Sequence, residues 1–191
     1  MEQTIFLNIL ASLQKLFVGY IPAAVLGSFI GYLIGVNGTV YQIFRRIFHI
    51  PHSVPPIALL PVMLLVFREN EPAVIIVVFI GTLWAVIINT AIGMRHFHRQ
   101  NNNFRVAIFH LFHALKVGVW VAWFTVIAIE MLIGQKGLGA LVWNAYKVGN
   151  TTYIVQGILY IGIIGSLLDQ FLDFIGYLLA QIVSDGKKSA E

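Results

Sequence analysis

The sequence predicts an all-α, polytopic membrane protein with about five transmembrane helices and short interfacial helices between them. Hydrophobic residues make up 59% of the 191 residues and charged residues only 10%, whereas a soluble domain carries about 25% charged residues. Several apolar stretches also approach the ~20 residues needed to cross a hydrocarbon core about 30 Å thick. No stretch has the composition of a soluble domain, so we expect one transmembrane domain over residues 1–191.

The first predicted span covers about residues 7–36 and is rich in glycine. Gly27 and Gly31 form a small-xxx-small pattern, which lets helix backbones approach closely in lipid. Asn37-Gly38 predicts a turn after this span, and the basic amphipathic stretch at 41–50 predicts an interfacial helix. The first residues lack a basic segment and a cleavage site, so we expect the span to be retained.

The second predicted span, residues 54–67, is short and interrupted by prolines. At about 1.5 Å per residue it reaches only ~21 Å, which is less than the hydrocarbon thickness. We therefore expect a kinked or partly buried segment, followed by a polar turn at residues 68–72.

Three further spans are predicted at about residues 73–94, 106–133 and 153–183. A polar loop is expected at 95–105, a glycine turn at 134–137, a short amphipathic helix at 138–147 and a polar tail from residue 184. With the short second segment, these elements complete the five-span prediction.

Basic residues gather on one predicted side of the membrane. Seven lie on that side, namely Arg45, Arg46, Arg95, Arg99, Arg105, Lys187 and Lys188. Four lie on the other, namely Lys15, Arg68, Lys136 and Lys147. Since Lys and Arg collect in cytoplasmic loops, we expect the C-terminus in the cytoplasm and the N-terminus outside. The same bias explains the net charge of +4, and we expect no nucleic-acid binding.

Lys116, Asp169 and Asp173 fall deep within predicted spans, where isolated charges are costly. Lys116, Asp169 and Asp173 have similar expected depths if the last two spans pack side by side, which predicts a buried ion pair. Two roles remain open for it, a helix-packing contact and a part of the substrate path. Glu130 lies near the end of its span and is expected in the interfacial region.

Six histidines occur as three close pairs near the predicted cytoplasmic boundary. His110 and His113 share a helix face and are candidates for holding a cofactor, although no acidic or thiol ligand accompanies them. An interfacial or structural role is favoured, and no metal site is expected. The chain also lacks the residue arrays of hydrolases, so we do not expect an enzyme.

Several stretches, read in order, resemble the permease subunits of the nitrate/sulfonate/taurine/bicarbonate class of ABC importers. They lie at residues 11–15, 55–61, 67–73, 87–93, 115–118, 130–132, 137–139, 143–146 and 167–169. The INTAIG stretch at 88–93 and the WNAY stretch at 143–146 look most like the cyanobacterial nitrate and bicarbonate branch. Within the matched stretches, Glu130, Gly137 and Gly139 are candidates for the gate region.

The resemblance implies import of a small anion through a path lined by two permease subunits. It implies as partners the lipid bilayer, other membrane subunits, two ATPase subunits that bind the ATP, and an external anion-binding protein or lipoprotein. No cofactor is implied for this chain itself. The location implied is a bacterial inner membrane or, in a cyanobacterium, the thylakoid membrane.

One departure from the family concerns the segment that couples a permease to its ATPase. Asn101, Asn102, Asn103 and Arg105 look like the beginning of this segment, but the glycine and Leu-Pro that normally follow are missing. A loop of this length does not offer the usual docking helix. Two alternatives follow: a shortened permease with altered coupling, or a degenerate homologue that no longer transports. The degenerate homologue would serve as an accessory subunit of a photosynthetic or respiratory complex.

Overall fold

The computed structural model describes residues 2–47, 54–99, 104–134 and 136–188, which are helical apart from short turns and contain no strand. In chain order the elements are α1 (Glu2–Val36), α2 (Gly38–Ile47), a 3-10 helix (Pro56–Leu59), α3 (Leu60–Phe67), α4 (Asn70–Arg99), α5 (Phe104–Ile133), α6 (Leu138–Lys147) and α7 (Thr151–Lys188). The long helices α1, α4, α5 and α7 carry four segments that are long and apolar enough to cross a membrane. The predicted all-α polytopic class is confirmed.

Helices α1 and α4 pack side by side and run in the same direction. Gly19 of α1 lies against Val78 of α4, and Gly35, further along α1, lies against Met94. A methyl group added at Gly31 would come within 2.7 Å of a backbone carbonyl oxygen of α4. The small residues of α1 therefore allow the close backbone approach that their spacing predicts.

Because α1 and α4 are parallel, the chain must return across the bundle between them. Pro56 lies against Gly81, well inside α4, and α3 ends at Phe67, just before α4 begins. The eight residues of α3 extend only about 12 Å. The return crossing thus uses a short helix, as the length of this segment predicts. Residues 48–53, with His49 and His52, lie outside the described part.

The remaining long helices alternate in direction, so the bundle has two distinct ends. His110 of α5 lies against Gly93 of α4, and Phe112 and Trp123 of α5 lie against Gly176 and Gly165 of α7. We call one end the Glu130 end; it holds the starts of α1, α4 and α7 and the last turn of α5. The other, the Arg95 end, holds the end of α4, the start of α5 and helix α2.

Two predicted boundaries are wrong in the same way, because helices continue beyond their apolar stretches. The predicted loop at 95–105 is mostly helical: α4 extends to Arg99 and α5 begins at Phe104, so only residues 100–103 separate them. The predicted polar tail is also helical as far as Lys188. Arg, Gln and Lys are good helix formers. A change from apolar to polar residues therefore indicates where the chain leaves the lipid, but it does not indicate where the helix ends.

The best-buried part of the core lies in the half of the bundle nearer the Glu130 end. Leu16 of α1, Val77 of α4, Val126 and Ile129 of α5 and Leu138 of α6 are fully buried there. These side chains fix the relative positions of α1, α5 and α6, and the polar residues beside them form the candidate site.

Candidate functional site

Glu130, in the last turn of α5, is the centre of a buried polar cluster. Only 3% of the residue is exposed. Ser12 Oγ lies 3.0 Å and 2.8 Å from its two carboxylate oxygens, and Lys15 Nζ lies 2.9 Å from Oε1. The backbone N–H of Gly139 donates to Oε2 at 3.1 Å. Helices α1 and α6 cover Glu130, and its position at the membrane interface stays a prediction.

Helix α1 contributes one polar face to this cluster. Asn8, Ser12 and Lys15 follow one another at helical spacing and therefore share a side of α1. Asn8 Oδ1 accepts a hydrogen bond from the N–H of Gly137 at 2.9 Å, and Ser12 Oγ accepts one from Leu138 at 2.9 Å. Lys15 Nζ also donates to the carbonyl oxygen of residue 136 at 2.6 Å.

These contacts cap α6 with side chains from other helices. The N-cap of α6 is Gly137, which has no side chain to satisfy the free N–H groups of the first turn. Asn8, Ser12 and Glu130 accept from the N–H groups of Gly137, Leu138 and Gly139 instead. The carboxylate is also favourably placed near the positive end of the α6 dipole.

Both glycines of this turn are required by the geometry. Gly137 has φ 123°, a backbone conformation that side chains disfavour, and a Cβ atom there would collide with the Glu130 carboxylate. A Cβ atom on Gly139 would collide with the carbonyl oxygen of Ile127. The structure therefore brings together Glu130, Gly137 and Gly139, although a role in gating stays a prediction.

The ion pair of Lys15 and Glu130 is nearly removed from solvent, with side-chain exposures of 12% and 1%. Burial of two charges costs several kcal/mol per ion unless their remaining hydrogen-bonding groups are satisfied. The hydroxyl of Ser12 and the N–H of Gly139 supply that compensation here. Loss of one partner would leave an uncompensated charge, so we expect this cluster to hold its three helices together.

A cavity of about 950 Å³ opens beside the cluster at the Glu130 end. Its charged lining residues are Lys15, Glu71, Glu130 and Lys136, and the remaining wall comes mainly from α1 and the first turns of α4. Lys136 is exposed, whereas the Lys15 ammonium is engaged by Glu130. The cavity is large enough for a small hydrated anion and offers one uncommitted positive side chain within the described lining.

The structure also brings together Lys116, Asp169 and Asp173. Lys116 Nζ lies 3.1 Å from Asp169 Oδ2 and 2.6 Å from Asp173 Oδ2. In the single chain the side chains of Lys116, Asp169 and Asp173 are 24%, 50% and 61% exposed, respectively, and burial of the pair stays a prediction. This exposure arises because α7 packs against α5 and α6 on one side and leaves its other side uncovered. Any role of this ion cluster in transport stays a prediction.

A role of His110 and His113 as cofactor ligands stays a prediction. His110 stacks on His96 of α4, with ring centroids 5.8 Å apart and an angle of 19° between the rings, while His113 is exposed. Within the described ranges no three His, Asp or Glu side chains are grouped as metal ligands would be. The pair of His96 and His110 joins α4 to α5 near the Arg95 end.

The predicted remnant of the coupling segment is only partly visible. Asn101, Asn102 and Asn103 lie outside the described residues, and the backbone of Arg105 belongs to the first turn of α5. Helix α4 ends at Arg99 and helix α5 begins at Phe104, so four residues lie between the two helices.

Sequence reasoning missed the part that α1 plays in the site. The sequence motifs include Ser12 and Lys15 only as part of the family-like stretch at residues 11–15, the charge pattern includes Lys15 only for topology, and Asn8 belongs to neither. The available signal was the recurrence of polar residues on one side of an apolar helix, since such residues need partners in a membrane.

Comparison with known proteins identifies relatives along almost the entire chain. The chain is 35% identical over 204 residues to a nitrate import permease of Leptolyngbya laminosa, covering 98% of this chain and 72% of that protein. It is 34% identical to a nitrate import permease of Synechocystis sp., and the match covers 91% of this chain and 69% of that protein. It is 29% identical to a bicarbonate transport system permease of Synechococcus elongatus, over 92% and 69%. No protein-family model matches the chain.

These relatives are transport permeases and not enzymes, and they give no support to the alternative of an accessory subunit in a photosynthetic or respiratory complex. The four apolar helices and the extent of the similarity agree with the family that the sequence motifs resemble. The chain is an integral membrane protein that belongs to the ABC import permeases, the family that includes nitrate and bicarbonate permeases.

Proposed function

We propose that this chain is the membrane-spanning subunit of an ABC importer for a small oxyanion of the nitrate or bicarbonate class. The observation that carries the proposal is the 35% identity to a nitrate import permease across 98% of the chain. ATP would be bound by separate ATPase subunits, and an external binding protein would deliver the anion.

The Glu130 end is proposed to face the outside. Its basic residues are Lys15, Arg68, Lys136 and Lys147, whereas the Arg95 end carries a larger group that includes Arg45, Arg46 and Arg95. The positive-inside tendency favours the Arg95 end as the cytoplasmic one. The cavity beside Glu130 would then be an outer vestibule for the arriving anion.

Lys136 is the proposed cation of this vestibule, because Lys15 is already paired with Glu130. The Glu130 cluster would hold α1, α5 and α6 together at the vestibule floor, which gives Glu130, Gly137 and Gly139 a role in the outer gate. This role is supported by position: Glu130 lines the cavity, and Gly137 and Gly139 lie against Glu130.

Coupling to an ATPase is proposed to use the Arg95 end directly. The ends of α4 and α5 are four residues apart in sequence there, and these helix ends, with the stacked pair of His96 and His110, would take the place of a docking helix. This corresponds to the alternative of a shortened permease with altered coupling.

The test is uptake into vesicles that contain this chain with its cognate ATPases and external binding protein. We expect ATP-dependent accumulation of isotopically labelled nitrate or bicarbonate. Lys136→Met should reduce uptake severalfold, whereas Lys147→Met, a matched change at the same end but outside the cavity lining, should not. A folded, fully assembled complex that hydrolyses ATP without moving either anion would reject the proposal.

A further inference from the structure

Helix α2 begins as a separate helix at the point where the α1 span ends. Asn37 interrupts the helical backbone between Val36 and Gly38. The Oδ1 atom of Asn37 accepts hydrogen bonds from the backbone N–H groups of Thr39 at 3.0 Å and Val40 at 3.3 Å, which caps the first turn of α2. The ten residues of α2 extend only about 15 Å, so this helix is too short to cross the membrane.

The two sides of α2 differ completely in composition. Val40, Ile43 and Ile47 are separated by three or four residues and therefore share one side, on which all three are exposed. A short helix with an apolar side and a basic side is typical of a segment that lies in the plane of the membrane surface. The side opposite to the apolar one is also exposed, and its residues are Thr39, Gln42, Arg45 and Arg46.

The apolar side of α2 follows directly on an uncovered apolar part of the first span. Leu33 and Val36, in the last turn of α1, are exposed apolar residues. Only Asn37 separates this turn from the first residue of α2. Because an amphipathic helix buries its apolar side at the boundary between headgroups and acyl chains, Val40 and Ile43 can continue the lipid contact of the span.

Positive charge is concentrated on the same short helix. Arg45 and Arg46 lie in its last turn. The guanidinium group of Arg95 lies against its first residue, since a Cβ atom added at Gly38 would come within 2.9 Å of that group. Among the side chains that the structure describes, no carboxylate forms an ion pair with these arginines. Guanidinium groups bind phosphate oxygens through paired N–H donors, so this charge favours a phosphate-bearing partner.

We propose that α2 is a docking site for anionic phospholipid. Val40, Ile43 and Ile47 insert among the acyl chains, and Arg45 and Arg46 bind the phosphate groups of lipids beside the helix. An anionic membrane surface fits both sides of α2 at once, because it offers hydrocarbon directly below a layer of negative charge. A soluble acidic protein would match the arginines only and would leave three apolar side chains in water. The inference goes beyond the proposed function, since it does not depend on which anion is carried.

The test uses the full chain, which has no cysteine, assembled with its partner subunits in phosphatidylcholine vesicles with or without phosphatidylglycerol. A fluorophore is attached to Ile43→Cys on the apolar side or, as the matched control, to Gln42→Cys on the polar side. Lipids brominated on their acyl chains quench a fluorophore that they contact. We expect severalfold stronger quenching at Ile43→Cys. At that position brominated phosphatidylglycerol should quench more than brominated phosphatidylcholine at equal mole fraction.

The headgroup contact is tested by adding Arg45→Gln and Arg46→Gln to the Ile43→Cys variant. We expect the preference for phosphatidylglycerol to fall severalfold. Arg68→Gln with Lys147→Gln removes the same charge from exposed positions at the Glu130 end and should leave the preference unchanged. Inorganic phosphate should weaken the preference no more than sodium chloride at the same ionic strength. A larger effect of phosphate would mean that the arginines bind a free anion, which would overturn the assignment to lipid.

Three further outcomes would overturn the inference. These are equal quenching of the fluorophore at Ile43→Cys and Gln42→Cys, equal quenching by the two lipids, and a lipid preference that survives the loss of both arginines. Absence of quenching at Ile43→Cys in the assembled complex would mean that another protein covers α2, which also contradicts a lipid site. A complex that shows the lipid preference without anion uptake would support this inference and count only against the proposed transport.

Discussion

Lys15 and Glu130 join the start of α1 to the end of α5 through a contact of 2.9 Å between Nζ and Oε1. The two residues are far apart in sequence, and the pair closes the Glu130 end of the bundle around α6. The same carboxylate accepts hydrogen bonds from Ser12 and Gly139, so one side chain links three helices. This arrangement makes Glu130 the residue whose loss we expect to be most damaging.

The first prediction is that Glu130→Ala destabilises the protein by about 3–5 kcal/mol, because the nearly buried Lys15 ammonium loses its counter-charge. Denaturant unfolding in detergent should measure the change. Glu71→Ala is the matched control, since Glu71 lines the same cavity but is exposed. The double variant Lys15→Met with Glu130→Met should recover much of the loss; a double variant as unstable as Glu130→Ala would contradict this account.

The second prediction concerns the contact between α1 and α4. Gly31→Ala should lower the free energy of unfolding by about 1–3 kcal/mol, because the added methyl group meets a backbone carbonyl at 2.7 Å. Gly162→Ala adds the same group where nothing lies within 4 Å, and alanine favours helices over glycine. It should therefore be neutral or slightly stabilising in the same unfolding assay. Equal effects of the two changes would mean that the glycines of α1 do not set this distance.

The third prediction is that the Glu130 end of the bundle faces the outside of the cell and the Arg95 end faces the cytoplasm. Glu71→Cys and Lys136→Cys should react with a membrane-impermeant maleimide added to intact cells, and Arg46→Cys should react only after permeabilisation. The absence of natural cysteines removes background labelling. Labelling of Arg46→Cys in intact cells would reverse the proposed orientation.

The fourth prediction compares the two ion clusters. Lys116→Met should destabilise the isolated chain less than Glu130→Ala does, because the carboxylates left behind are 50% and 61% exposed and can be solvated. Unfolding of the monomer in detergent measures both variants under one condition. A larger effect for Lys116→Met would mean that these carboxylates are shielded more strongly than the single chain indicates.

The helical class and most span positions follow from the sequence because the bilayer imposes them. An apolar stretch that meets the hydrocarbon thickness must form a helix to satisfy its own backbone, whatever surrounds it. The amphipathic helix predicted at residues 138–147 matches α6, and the pairing of Lys116 with the aspartates of α7 follows from matching depths. The predicted ends of α4 and α7 are wrong because polar residues can lie outside the lipid and still continue the helix.

Only the tertiary structure decided how residues far apart in sequence meet. Local periodicity shows that Asn8, Ser12 and Lys15 share a side of α1, but it does not show that this side receives the Glu130 carboxylate and the first turn of α6. The parallel packing of α1 and α4, and with it the return crossing through α3, likewise depends on long-range contacts. The burial of a charged side chain also depends on the tertiary structure, since Glu130 is covered by other helices and Asp173 is not. The sequence by itself determined which segments enter the membrane, because membrane insertion depends on the transfer of each segment into lipid. The candidate site depends on which helix faces meet, and only the packing of the helices decides this.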